Sequence, residues 1–239
     1  MIKSMRRPKG IIFDLGDTIL EEDRFNPLPG TSKILESAVN PHNFSPIDIQ
    51  ILADEIYQGL KISREELFIE FSEQNFHRLL YETLGITLNI SYPEAERRFW
   101  SASTSFKPTQ GVLEVLNLLK TININTGILS NTMFSGNVLK EELDKHNLMR
   151  YFNFIVASSD YGFRKPSPRI FNIAIKKIGF DQEDIWCVGD KLEYDIKGAI
   201  QSGLFPVWYN PKGHPNTLAY DCLEIRSWRE FDEKLKGLA

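Results

Sequence analysis

Two hydrophobic periods alternate along the chain. Ile11, Ile12 and Phe13 form a short unbroken apolar run, which suits a strand buried on both faces. The run stops at Asp14, and Gly16 and Thr18 give a turn-like exit. Charges and two prolines between Glu21 and Gly30 predict a loop or short flap. A helical period then takes over. Ser45-Pro46 starts one helix, with Ile49, Leu52, Ile56 and Leu60 on its apolar stripe. Ser63 and Glu66 read as a capping box for a second helix, which carries Phe68, Phe71, Phe76, Leu79, Leu80 and Leu84 and ends at Gly85. Pro93 and Glu94 open a third, with Ala95, Phe99 and Ala102 on one face. No convincing strand is visible from about Asp23 to Phe106. The phenylalanines of this region read as helix–helix core, and Arg24, Arg97 and Arg98 as solvated positions.

From Lys107 onward, short apolar runs alternate with helical stripes. Val112, Val115, Leu116 and Leu119 give a helix, and Gly127-Ile128-Leu129 a strand ending at Ser130, Asn131 and Thr132. A helix with Val138, Leu139 and Leu143 precedes the strand Phe154-Ile155-Val156. Arg164-Lys165-Pro166-Ser167-Pro168 starts a helix bearing Phe171, Ala174, Ile175 and Ile178. The strand Ile185–Val188 ends at Gly189-Asp190, and Ile196, Ala199 and Ile200 mark the next helix, closed near Gly203. Phe205–Tyr209 is a strand, Leu223–Ile225 a short edge strand, and Ser227 caps a last helix through Phe231 and Leu235. Such alternation implies α/β architecture, with a mostly parallel sheet between two helical layers. The expected division is a Rossmann-like core of residues 1–22 and 107–239, with a helical insert at 23–106.

Composition narrows the function classes. The 239 residues are 42% hydrophobic and 25% charged, ordinary for a soluble globular chain. A formal net charge of -4 argues against nucleic acid as the main partner. Lys3, Arg6, Arg7 and Lys9 make the N-terminus basic, but no apolar stretch follows them, so a signal peptide is not expected. No run approaches the roughly 20 apolar residues of a membrane span. Cys187 and Cys222 do not form a disulfide framework, and the scattered histidines lack zinc-site spacing. A cytoplasmic location is the expectation.

An acid at the carboxyl end of a buried strand is poorly placed for packing and well placed for chemistry, because open α/β sheets bind ligands beyond those strand ends. Asp14 is such an acid. Ser130 after Gly-Ile-Leu, Lys165 in Arg-Lys-Pro, and Asp190 with Asp195 in Val-Gly-Asp-Lys-Leu-Glu-Tyr-Asp are further candidates. Together, in order, they resemble the four motifs of the haloacid dehalogenase superfamily with a helical cap inserted after the first motif. One position departs from that pattern. The phosphatases of the superfamily mostly carry a second Asp two residues after the nucleophile, and this chain has Gly16 there.

The resemblance implies phosphoryl transfer, which asks a protein mainly for positioning and charge stabilisation. Asp14 is the expected nucleophile, forming an aspartyl-phosphate. Magnesium is the expected cofactor, held by Asp14, Asp190 and, by resemblance, the Gly16 carbonyl, with Asp195 orienting metal-bound water. Lys165 would shield the transferring group. Ser130 would donate to a phosphoryl oxygen with Asn131 close by, and backbone amides after Asp14 would complete the cradle. Asp17 is a candidate for the acid–base role, although alternation along extended chain points it away from Gly16's direction. The expected activity is hydrolysis of a small phosphorylated metabolite. Its rivals are a metal-free haloacid dehalogenase, a mutase-like transfer, and a binding or regulatory protein with impaired turnover.

Overall fold

The computed structural model describes residues 5–238, so Lys3 of the basic N-terminal run lies outside the described residues. The core is a six-stranded parallel sheet in the order β10-β9-β8-β1-β6-β7. These strands are β1 (Gly10–Phe13), β6 (Asn125–Ser130), β7 (Ile155–Ala157), β8 (Ile185–Gly189), β9 (Phe205–Tyr209) and β10 (Leu223–Ile225). Strand β1 is central, with Phe13 opposite Ile128 on one side and Val188 on the other.

The pleat divides the apolar residues between two faces. Ile11, Phe13, Ile128, Trp186 and Val188 pack on one face, with α5 (Val112–Thr121), α6 (Gly136–Lys145) and α10 (Trp228–Lys236). Ile12, Leu129 and Cys187 pack on the other, against α8 (Pro168–Ile178) and α9 (Lys197–Gln201). Strands covered on both faces need the unbroken apolar runs seen in the sequence. At Gly127 a Cβ would sit 2.2 Å from the Phe154 ring, so that strand position requires glycine for close packing.

Between residues 20 and 108 the structure departs from expectation in its local elements. β2 (Leu20–Phe25) and β5 (Thr104–Pro108) form an antiparallel pair where the chain leaves and rejoins the sheet. β2 is largely exposed and charged and β5 is only half-buried, which hid them from a search for apolar alternation. Two further two-residue strands, β3 (Ala38–Val39) and β4 (Thr87–Leu88), pair with each other. The stretch expected as loop up to Gly30 contains the start of α1 (Pro27–Leu35), whose Asn26 Oδ1 accepts from Leu28 N at 3.1 Å. Proline in the first turn starts this helix where it had read as a breaker.

Helix α2 (Pro46–Glu65) has the capping box of Ser45 and Asp48. It runs through Ser63, so the expected cap at Ser63 and Glu66 does not exist. The chain breaks at Phe68, with φ of 54°, and α3 (Glu73–Thr83) is capped by Ser72 instead. Phe68 and Phe71 therefore lie outside any helix. Helix α4 (Tyr92–Ser103) crosses α1 so closely that a Cβ on Gly30 would fall 2.1 Å from Ser103 Oγ. Ile34, Ile49, Leu80, Tyr81, Ala95 and Phe99 form the apolar centre of these helices. Among the described residues, no helix is long and apolar enough to cross a membrane.

Candidate active site

Asp14 follows β1, Ser130 ends β6, and Asp190 follows β8. The three strands are parallel neighbours, so their carboxyl ends meet at one edge, where the chain order reverses about β1. Asp14 N donates to Val188 O at 2.8 Å, which ties the start of the loop to the neighbouring strand.

Lys165 arrives from the loop before α8 and is buried, with its side chain only 3% exposed. Its Nζ donates to Asp14 Oδ1 at 2.5 Å, Asp195 Oδ1 at 2.6 Å and Leu129 O at 2.9 Å. All three ammonium protons thus have acceptors. Asn131 holds the lysine backbone at both ends: Lys165 N donates to its Oδ1 at 2.7 Å, and its Nδ2 donates to Lys165 O at 3.1 Å. Asn131, expected close to the phosphate, thus spends its Oδ1 and one Nδ2 hydrogen in fixing Lys165. Ser130 is buried beside it.

Asp195 sits on a π-type turn, Leu192–Ile196. It folds back under the end of β8, and its Oδ2 accepts from Lys191 N at 3.0 Å. A Cβ on Gly189 would lie 2.3 Å from Asp195 Cγ, so the Gly of Val-Gly-Asp makes room for that acid. Asp190 Oδ2 accepts from Lys191 Nζ at 2.5 Å. Sequence reasoning passed over Lys191; a lysine immediately after a motif acid was the available signal.

Asp17 is not in extended backbone. Its φ is 56°, so the alternation used to orient it does not apply. Its carboxylate is half exposed and lies 3.9 Å from Lys191 Nζ, at the Asp190 side of the site. A Cβ on Gly16 would have no heavy atom within 4 Å. The missing acid therefore leaves open room. A cleft of about 880 Å³ reaches Asp17 and Asp190 and continues past Lys191, Asn210 and His214 towards Trp228.

Burial pushes the Asp14 carboxyl up to about 7, and the Lys165 charge opposes this while Asp195 and Asp190 add to it. Burial and Asp195 likewise raise Asp190. Burial alone would favour a neutral Lys165, but the Asp14 and Asp195 carboxylates outweigh it and keep the lysine charged. Carboxylate oxygens of Asp14, Asp190 and Asp195 lie within 4.8 Å of one another. The hydrogen bonds of the site use one oxygen of Asp14, one of Asp190 and both of Asp195. The remaining oxygens of Asp14 and Asp190 are the ones a cation could take. An all-oxygen set with excess negative charge suits a hard divalent ion such as magnesium.

Residues 11–208 match the family described as haloacid dehalogenase-like hydrolases. The chain is 26% identical to the pyrimidine 5'-nucleotidase YjjG of Escherichia coli over 207 residues, covering 84% of this chain and 85% of that protein. It is 27% identical to the glyceraldehyde 3-phosphate phosphatase of Pyrococcus furiosus over 209 residues, 86% of this chain and 82% of that one. Its fold superposes on the crystal structure of a phosphatase of the same superfamily from Thermococcus onnurineus with a TM-score of 0.66, covering 98% and 99% of the two chains at 22% identity.

Proposed function

The chain belongs to the haloacid dehalogenase-like hydrolases, and on that premise we propose that it is a magnesium-dependent phosphatase acting on a small phosphorylated metabolite. The observation that carries the proposal is the buried contact of Asp14 with Lys165 at 2.5 Å, inside a group of three acids of cation-binding size. Two of the related enzymes are named for phosphate monoesters, a nucleotide and a triose phosphate, which supports a small organic phosphate as substrate.

In this reading an Asp14 oxygen attacks phosphorus, and the bond from phosphorus to the leaving oxygen breaks. Water then attacks the aspartyl-phosphate, releasing inorganic phosphate and restoring Asp14. Lys165 neutralises Asp14 as the phosphate dianion approaches, and Ser130 donates to a phosphoryl oxygen. Asp195 orients Lys165, and Asn131 fixes that lysine's backbone. Asp14, Asp190 and the Gly16 carbonyl would hold magnesium, which supplies charge neutralisation for the phosphoryl oxygens. The helices between β2 and β5 act as a cap that governs access, since they dock on the loops carrying Ser130 and Lys165. Free thiols at Cys187 and Cys222 suit a reducing, cytoplasmic setting.

A panel of phosphorylated metabolites, assayed for released phosphate, tests the proposal. Hydrolysis should need magnesium, and Asp14→Asn should retain the fold and lose at least about 10³-fold in rate, the scale of a lost nucleophile. Undiminished hydrolysis in excess chelator, or in Asp14→Asn, would overturn it.

A further inference from the structure

The helical insert contributes one fully buried carboxylate to the underside of the site. Glu70 lies in the break between α2 and α3, in the run Phe68-Ile69-Glu70-Phe71, and its side chain is 0% exposed. It pairs with Arg64 Nε at 2.8 Å and with Arg164 Nη1. Its Oε2 also accepts from Ser158 Oγ at 2.8 Å. Ser158 Oγ in turn accepts from Thr132 N at 2.8 Å. Arg164 immediately precedes Lys165, and Thr132 is two residues past Ser130. The backbone reinforces the link: Glu70 N donates to Gly162 O at 3.0 Å, Arg164 N donates to Phe68 O at 2.8 Å, and Ile69 and Phe163 form an antiparallel bridge.

We infer that Glu70 is a positioning residue that sets the two phosphate-handling loops of the site from the insert, an inference that rests on the phosphatase reading above. The physical case lies in the choice of group. For holding two surfaces together, a buried ion cluster is a poor device, because desolvating charges offsets much of their attraction, and apolar packing of equal volume does as well. What a buried carboxylate supplies is direction. Its lone pairs fix Arg164 and Ser158 at once, and among the described residues Arg164 has no other ion pair. The loops that Arg164 and Ser158 hold carry Lys165 and Ser130, so insert and phosphate cradle form one unit. Among the hydrogen bonds of the described residues, this cluster reaches Asp14 only through Lys165, and Asp190 bonds instead to Lys191, so the cation end of the site is linked to it less directly than the phosphate end.

The test is calorimetric titration of inorganic phosphate into the magnesium-supplemented protein, beside kcat on a hydrolysed phosphate monoester. Glu70→Gln should weaken phosphate binding about fivefold or more and lower kcat about tenfold or more, because small misplacement of catalytic groups costs rates of that order. Magnesium affinity, titrated without phosphate, should change less than phosphate affinity, because the cluster reaches Asp14 only through Lys165. Arg64→Met removes one ion pair from the insert side and leaves the Ser158 and Arg164 links; it should behave like the parent protein once melting curves confirm folding at the assay temperature. Ser158→Ala removes the hydroxyl that joins Glu70 to Thr132 N and O and leaves the Arg164 pair in place; it should weaken phosphate binding a few-fold, which keeps the inference testable if Glu70→Gln does not fold. Parental phosphate binding and kcat in folded Glu70→Gln, or in Ser158→Ala where Glu70→Gln fails to fold, would overturn the inference and leave the phosphatase reading standing. A parent protein that neither binds nor releases phosphate would remove both.

Discussion

On the proposed reaction, Gly16 and Asp17 bear on how the site handles protons. The usual acid position is glycine, yet the space for a side chain is open. Asp17, next along, is half exposed and lies beside Lys191. Without a positioned acid the leaving oxygen departs as an anion, so alkyl phosphates should react far more slowly than aryl phosphates. Gly16→Asp should fold normally and raise turnover of alkyl phosphates about tenfold to a hundredfold, against ~10²–10⁴ for a fully positioned acid. Aryl phosphates should gain much less. A folded Gly16→Asp with no gain on alkyl substrates would show that the acid comes from elsewhere. A second expectation concerns Asp14. Its pKa is raised to about 7, and a cation takes the ionised carboxylate, so magnesium affinity should rise with pH and level off above that value. Calorimetric titration should show an affinity about tenfold higher at pH 8 than at pH 6, one proton being released on binding below the pKa. A flat profile would contradict the burial effect assigned to Asp14. At this scale Asp14, Ser130 and Asp190 could be picked out because each ends or follows an apolar run, while Lys165 and Asp195 were reached only through the family resemblance. The bonds of Asn131 and Glu70 were not legible, because they cross 34 and 94 residues and depend on side-chain direction that no local pattern records.

Among the elements, legibility followed burial. The core strands announced themselves as apolar runs, and α2 and α4 by their caps and stripes. β2 and β5 did not, since pairing rather than burial stabilises them, and their exposed positions carry charges. Ser63 and Glu66 had the right spacing for a cap but stand at the end of a helix that was already under way. Helix α1 was missed because its two prolines look like breakers from sequence alone. That helix now yields a stability expectation. Ala is the better helix former by up to about 1 kcal/mol, but a methyl on Gly30 would meet Ser103 Oγ at 2.1 Å and the Phe99 ring at 2.6 Å. Overpacking costs about 1–3 kcal/mol, so it wins. Gly30→Ala should lower the midpoint of thermal unfolding, and a raised midpoint would show that α1 and α4 can separate freely.

For the whole molecule, the parallel sheet turns four distant pieces of sequence into one site. β1 lies between β6 and β8, so Asp14, Ser130 and Asp190 are neighbours although up to 176 residues apart. Chain alternation predicted a parallel sheet, and a parallel sheet puts all its carboxyl ends on one edge; that is why motif order carried so much of the fold. The helical insert completes the arrangement by meeting that edge through residues that no motif marks. The central claim is that Asp14 carries the phosphoryl group. Turnover of a hydrolysed phosphate monoester can be quenched, the acyl phosphate reduced with borohydride, and the modified residue mapped by mass spectrometry. The account predicts reduction of Asp14 to homoserine, dependent on both substrate and magnesium. Sustained turnover with Asp14 unmodified, or with the label on a different acid, would contradict it.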